Sequence, residues 1–286
     1  MRYSTTTYCP FRLYGPEKAF ALLKEIGYDA VDYGSPCSLY EWGKKTVFSK
    51  SAKEFEAYFA AHAAWAKAAG IAVGQVHAPF PTWPESNDET EFCDMMEAIK
   101  KSIRATAIME APYLVIHCAM RKGWAPDDDP AATRALNYKV FEELIPAAER
   151  EGVTLALENM PCRGIPTCTP EELCDYIDMM ASDRLVACLD TGHANITGVD
   201  CGDFARALGP RLKVLHIHDN DGKLDQHITP YMGTVNWQSF MQGLRDIGYQ
   251  GTLSLESDSL PRYADELMFP TYAEFELNVL KKLDEM

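Results

Sequence analysis

The sequence has no apolar run that approaches the length of a membrane span, and its first residues, MRYSTTTYCPFRLYGPEK, contain no apolar h-region. A membrane-embedded or exported protein is therefore not expected, and a cytoplasmic one is. Basic residues are also scarce: 27 Lys and Arg stand against 42 Asp and Glu, a net charge of −15. Proteins that track a phosphate backbone or an anionic bilayer do so with clustered Lys and Arg, so neither nucleic acid nor membrane is expected as a partner. One local exception, Lys44, Lys45, Lys50 and Lys53, would suit a phosphorylated substrate, but a solvated helix entry explains it more simply. CxxC spacing is missing too. Nine cysteines, an odd number, are scattered along the chain, the pattern of reduced thiols and not of a disulfide framework. No low-complexity tract or linker divides the sequence, so it reads as one domain over residues 1–286, a length that a single α/β barrel often reaches. An apolar share of 47% with 24% charged residues is globular composition.

What is present is a recurring unit: an amphipathic helix, a glycine, then a short β-rich run. It reads LLKEIGYDAVDYG ending at Gly34, AKAAGIAVGQVH ending at His77, EREGVTLALEN ending at Asn159 and LRDIGYQGTLSLES ending at Ser257. Gly27, Gly70, Gly152 and Gly248 fall where a helix C-cap needs positive φ. Thr169, Pro170 and Glu172 form a capping pattern, and Ser51 with Glu54 repeats it ahead of an apolar stripe, Phe55, Tyr58, Phe59, His62 and Trp65. Eight β-runs are expected, near 2–8, 28–34, 71–77, 113–118, 154–159, 185–190, 212–218 and 251–257. Several are apolar until a polar residue at the end, as strands buried on both faces are. Eight alternating β/α units in one domain predict an α/β fold of the (β/α)8 TIM-barrel kind, with an open doubly wound sheet as the alternative.

The ionisable residues fall at the ends of these runs. His77 ends the third, His117 the fourth and Glu158 the fifth; Asp190 ends the sixth with His193 just after; His216 and His218 end the seventh and Glu256 the eighth. Six of the seven histidines lie at strand ends or in the following loop, and only His62 is expected on a helix, as a core or rim residue. In a barrel those ends meet at one mouth. Imidazoles and carboxylates gathered there would repel or titrate unless a cation sat among them, and such a donor set suits Zn2+ or Mn2+. A single strand-end histidine such as His77 or His117 could simply cap carbonyls. Glu158 and Glu256 are harder to dismiss, because a buried carboxylate needs a partner and no strand end offers an arginine.

The ordered motifs HAPF, VIHC, LALENMP, CLDTGHAN, LHIHDNDGKLDQH followed by GTVNW, and LSLES resemble the sugar-phosphate isomerase/epimerase superfamily, the xylose-isomerase-like TIM barrels. That superfamily also contains the type IV apurinic endonucleases (AP endonuclease family 2). The resemblance implies a four-ligand metal site at Glu158, Asp190, His216 and Glu256, with His218 as the alternative to His216. The metal would be Mn2+ or Zn2+, with Mg2+ and Co2+ also admitted. His193 matches a histidine that contacts substrate beside that metal. His77, His117, Asp225 and His227 match the further ligands with which the endonuclease branch builds a three-zinc cluster, so additional metal at His117, Asp225 and His227 is implied. The ketose 3-epimerases place a substrate-holding arginine six residues after the strand-seven histidine; here that position is Gly222, beside Lys223.

The activity implied is that of a sugar isomerase or epimerase acting on a small sugar or polyol. A proton leaves a carbon next to a carbonyl, a metal-stabilised enediolate forms, and Glu158 and Glu256 act as acid and base. His77 and His193 would contact the substrate, and Trp83 would stack on it or pack in the core. Three other readings stand: a zinc-dependent phosphodiesterase or AP endonuclease, a dehydratase of the inosose or dehydroshikimate kind, and a binding protein without catalysis. A homo-oligomer is left open.

Overall fold

The computed structural model describes residues 1–34, 36, 39, 44–79, 89–121, 126 and 128–286. Eight strands are present: β1 (Arg2–Thr6), β2 (Ala30–Tyr33), β3 (Ala72–His77), β4 (Tyr113–Ile116), β5 (Thr154–Glu158), β6 (Leu185–Asp190), β7 (Leu212–His216) and β8 (Thr252–Leu255). All pairings between them are parallel, in the order β7-β6-β5-β4-β3-β2-β1-β8. The two ends of that series meet where Ile217 pairs with Leu255, its N–H donating to Ser254 O at 2.8 Å while the Glu256 N–H donates to Ile217 O at 3.0 Å. The result is a nearly closed (β/α)8 barrel, as the eight β-runs predict. Each expected run contains its strand, although the first overshoots, because Tyr8 already opens a helix.

The helices follow from local signals. They are α1 (Tyr8–Tyr14), α2 (Pro16–Ile26), α3 (Ala52–Ala69), α4 (Glu89–Ile108), α5 (Pro130–Glu151), α6 (Pro170–Asp178), α7 (Thr191–Thr197), α8 (Cys201–Leu208), α9 (Trp237–Asp246) and α10 (Phe269–Asp284). Both capping boxes form, at Ser51 with Glu54 and at Thr169 with Glu172. Gly27, Gly70, Gly152 and Gly248 all adopt positive φ, at 117°, 71°, 71° and 67°, which lets each helix end and turn straight into the next strand. His193 departs from expectation in one respect: it sits in the short helix α7, whose first turn Asp190 caps. No helix among the described residues is long and apolar enough to cross a membrane, and all the described cysteines are free.

Strand alternation sorts the side chains into two layers. Leu114, Ile116, Leu155, Leu157, Ala187, Leu189, Leu253 and Leu255 join the large apolar core between barrel and helices. Their neighbours Val115, Ala156, Cys188 and Val214 form a separate small cluster inside the barrel. Continuing that inward period by one step reaches His117, Glu158, Asp190 and His216. The period that fills the barrel therefore also delivers the ionisable groups to its C-terminal mouth.

Helix α5 secures one edge of this mouth. The Asn137 side chain accepts from Ala119 N–H at 2.8 Å and donates to Ala119 O at 2.7 Å, two residues beyond His117. Asn137 is fully buried, so Asn137→Leu would strand both backbone groups. At ~1–3 kcal/mol for each unsatisfied buried group, urea unfolding should show a loss of about 2–6 kcal/mol. A variant as stable as wild type would contradict this role.

Candidate metal centre

Glu158 is the hub of the mouth. It is 1% exposed. Its Oε2 lies 2.9 Å from His117 Nε2 and 3.5 Å from His77 Nε2, and its Oε1 lies 3.2 Å from His216 Nδ1 and 3.5 Å from His193 Nδ1. His216 Nδ1 is also 3.2 Å from Glu256 Oε2. On the other side of the ring, Nε2 faces Asp32 Oδ2 at 3.2 Å, and Asp32 is itself held by Gln75 Nε2 at 2.8 Å. A carboxylate behind a histidine places the ring proton on the nitrogen nearest to it and leaves the other lone pair for a metal. Here that lone pair, on Nδ1, points between Glu158 and Glu256.

The donor chemistry fits a divalent cation. One oxygen or nitrogen from each of Glu158, Asp190, His216 and Glu256 lies within 4.8 Å of the others. Both ring nitrogens of fully buried His216 lack a well-formed hydrogen bond, which is costly unless something else engages them. Two flanking groups meet the same distance criterion: His77, His117 and Glu158 on one side, and His193, His218, Asp225 and His227 on the other. The four residues expected at the metal site are thus brought together, while His117 falls in the group with His77, and Asp225 and His227 in the group with His193 and His218. Trp83 lies outside the described residues. Lys44, Lys45, Lys50 and Lys53 are exposed. His62 is buried on α3 among aromatic rings, and burial lowers its pKa to about 4.

The ionisable groups of the mouth shift one another strongly. Burial opposes charge on Glu158, yet His216 and His117 outweigh it and hold the carboxyl well below its usual range. Glu256 is shifted upward by burial. His193 is likewise desolvated, but Asp190, Asp225 and Glu158 around it raise its pKa to about 10. Burial also disfavours charge on His227, which Asp225 and Glu256 nevertheless push up to about 11. Protons on these imidazoles balance clustered carboxylates, the service a bound cation would perform.

Several supporting residues gave no strong signal in sequence. Asp32 interrupts the apolar run YDAVDYG and could have been noticed for that reason. Asn159 bridges the ends of β5 and β6, accepting from Asp190 N–H at 2.7 Å and donating to Asp190 O at 3.1 Å. Asp219 is fully buried and accepts from Asn220 N–H, Tyr231 N–H, Val235 N–H and Trp237 Nε1–H, at 2.9–3.0 Å. It thereby folds the loop after β7, which carries Asp225 and His227, back on itself. Glu276 on α10 accepts from Ser257 Oγ at 2.6 Å and Thr229 Oγ1 at 3.2 Å, tying that loop to the residue after Glu256. A cleft of about 470 Å3, lined by Thr6, Tyr8, Cys9, Arg12, His227, Glu256, Asp258 and Arg262, opens at this side of the mouth, a size suited to a small molecule. A second cavity, about 350 Å3 around Arg2, Gln75, Tyr113, Lys213 and Gln250, lies at the opposite end of the barrel and gathers no such donor cluster.

With this geometry in place, comparison with known proteins is decisive for family. The model of the xylose isomerase-like TIM barrels matches residues 20–277. The chain belongs to that family. Among its relatives is an uncharacterized protein of Methanocaldococcus jannaschii, MJ1311, 30% identical over 193 residues, which are 65% of this chain and 64% of that one. A D-psicose 3-epimerase of Enterocloster bolteae is 32% identical over 131 residues, 46% of this chain and 42% of its own. A probable endonuclease 4 of Metamycoplasma arthritidis is 25% identical over 234 residues, 76% and 81% of the two chains. The chain thus spans less than two thirds of the length of the first two. Among solved structures, a D-tagatose 3-epimerase-like protein shares the fold, with a TM-score of 0.73, 22% identity and coverage of 100% and 99%.

Glu276 offers a test of how the loop is held. Burial pushes it up to about 7, against the opposing pull of the Ser257 and Thr229 hydroxyls. An unfolded glutamate titrates near ~4.3, so the folded state binds this proton more tightly. The associated stability is complete below pH ~4.3 and is lost as pH rises through about 7, by ~3 kcal/mol. Glu276→Gln mimics the protonated form, so it should gain that amount relative to wild type between pH 5 and pH 8 in denaturant melts. A pH-independent difference would contradict this reading.

Proposed function

We propose that the chain is a metal-dependent isomerase or epimerase of a small sugar or polyol, acting by proton transfer at a carbon next to a carbonyl. The observation that carries this is the placement of Glu158 and Glu256. Both flank one imidazole nitrogen, His216 Nδ1, at 3.2 Å, yet they project from β5 and from the end of β8. A divalent cation held by Glu158, Asp190, His216 and Glu256 would supply Lewis acidity to the substrate carbonyl, a contribution of several kcal/mol. Glu158 and Glu256 could then address a bound sugar from two sides, one removing the proton and the other returning it. Transfer by two groups on opposite faces gives epimerisation; transfer by one group between adjacent carbons gives isomerisation. The epimerase named among the relatives supports this class. The absent arginine at Gly222 argues against an unmodified ketohexose as the preferred substrate.

A second reading has a specific observation in its favour. Glu158 belongs at once to the central donor group and to the one with His77 and His117, while a third group stands at Asp225. That array would suit phosphodiester hydrolysis on several zinc ions, and a probable endonuclease 4 is among the relatives. Against it stands the acidic balance of the chain, −15, which repels a phosphate backbone.

Incubation with a panel of ketoses and inososes in D2O, read by NMR, separates the two. The proposal expects deuterium at the carbon beside the carbonyl of one substrate, with Glu158→Gln and Glu256→Gln each slowing turnover by at least ~10²-fold. Metal content must be measured in each variant, because both residues are proposed ligands. Cleavage of an abasic duplex, with no exchange on any sugar, would overturn the proposal in favour of the hydrolase.

A further inference from the structure

Gly222 leaves the loop after β7 without a substrate-holding arginine, but the structure brings another guanidinium to the mouth. Arg12 lies in the last turn of α1, the helix that follows β1. It lines the same cleft of about 470 Å3 as Glu256 and His227. Its Nη2 donates to Arg262 O at 3.0 Å and to Ala264 O at 3.5 Å, in the segment that follows β8. Two backbone carbonyls thus hold the group in place. Both contacts use one nitrogen, whereas a guanidinium carries five N–H donors on three.

The other charges in this cleft are already matched. Arg262 Nη2 donates to both Asp258 oxygens, at 3.0 Å and 3.1 Å. Cys9, buried beside Arg12, brings no charge, because burial pushes its thiol up to about 11. Glu256 is a proposed ligand, so its charge would be met by the cation. Arg12 differs: it donates to neutral carbonyls and, among the described residues, to no carboxylate. One guanidinium balances one negative charge. A carboxylate carries one and matches the planar fork of donors, whereas a phosphate monoester carries closer to two at neutral pH.

We propose that Arg12 sets the substrate specificity of the mouth, and that the substrate is an acidic sugar with a carboxylate at the end remote from the carbon that loses its proton. The inner site then takes the carbonyl end and Arg12 the carboxylate, so the molecule is oriented from both ends. The anchor comes from α1 and not from the loop after β7, in keeping with Gly222. The inference rests on the isomerase or epimerase reading above and names its substrate class.

Matched substrates test it on the full-length, metal-loaded chain: D-fructose and D-tagatose, the corresponding keto-uronates, and the matching sugar phosphates. Wild type is expected to prefer a keto-uronate over its neutral counterpart by ~10²-fold in kcat/KM, the discrimination that a hydrogen-bonded charge supplies. Arg12→Leu should erase this preference, chiefly through KM and with metal content unchanged. Arg12→Lys, which keeps the charge but not the fork, should restore part of it. If wild type turns over the neutral ketoses or the phosphates at least as well as the keto-uronates, or a folded Arg12→Leu chain keeps the preference, the inference fails and the proposed function stands. Turnover of none of them would count against the proposed function, and binding then decides the inference separately. Calorimetry should find D-gluconate at least ~10-fold tighter than uncharged D-glucitol, with the difference lost in Arg12→Leu. Equal affinity of wild type for the two would overturn the inference even where no Arg12 variant folds.

Discussion

A carboxylate buried as deeply as that of Glu158 is tolerated only when opposite charge or hydrogen bonds surround it. Here the compensation is four imidazoles, with His117 and His77 on one oxygen and His216 and His193 on the other. Those histidines carry one proton more or less depending on what else is present, so the cluster is balanced by protons or by cations. Much of the mouth answers to that requirement: the carboxylate behind His216 and the carbonyls behind His193 and His227.

The scaffold makes such a cluster affordable. A barrel closed through Ile217 and Leu255 fixes the relative heights of β5, β6, β7 and β8, so donors from four strands meet without any loop having to order. The loop that does contribute, after β7, is held by the Asp219 carboxylate and its four N–H donors. Preorganisation of this kind keeps ligand positions set before a cation or substrate arrives.

Much of this was legible in sequence because two periodicities coincide. Strand alternation and helix-capping glycines announce the eight units, and the alternation places Glu158, Asp190 and His216 on the inward face. The partners that support them were less visible. Asn159 and Asp219 are short polar residues in loops, where such residues are ordinary, and Glu276 sits on a surface helix whose buried carboxylate looks from sequence like any exposed one. His218 was ambiguous for a reason of geometry: residues two apart on a strand share a face, but β7 ends at His216, and the backbone beyond it turns His218 toward Asp190 and Asp225. Substrate identity depends on contacts made by individual loop residues, and Gly222 lacks the arginine that the resemblance would have supplied there.

The central claim is that divalent cations, and not protons, balance this cluster in the working protein. Scanning calorimetry of the full chain after chelation, and again on titration with Zn2+ or Mn2+, tests it directly. The account predicts a lower melting temperature for the stripped chain and recovery with the cation, approaching ~4 kcal/mol of stabilisation at a thousandfold excess over Kd. Identical melting with and without metal, and no heat of binding, would contradict it.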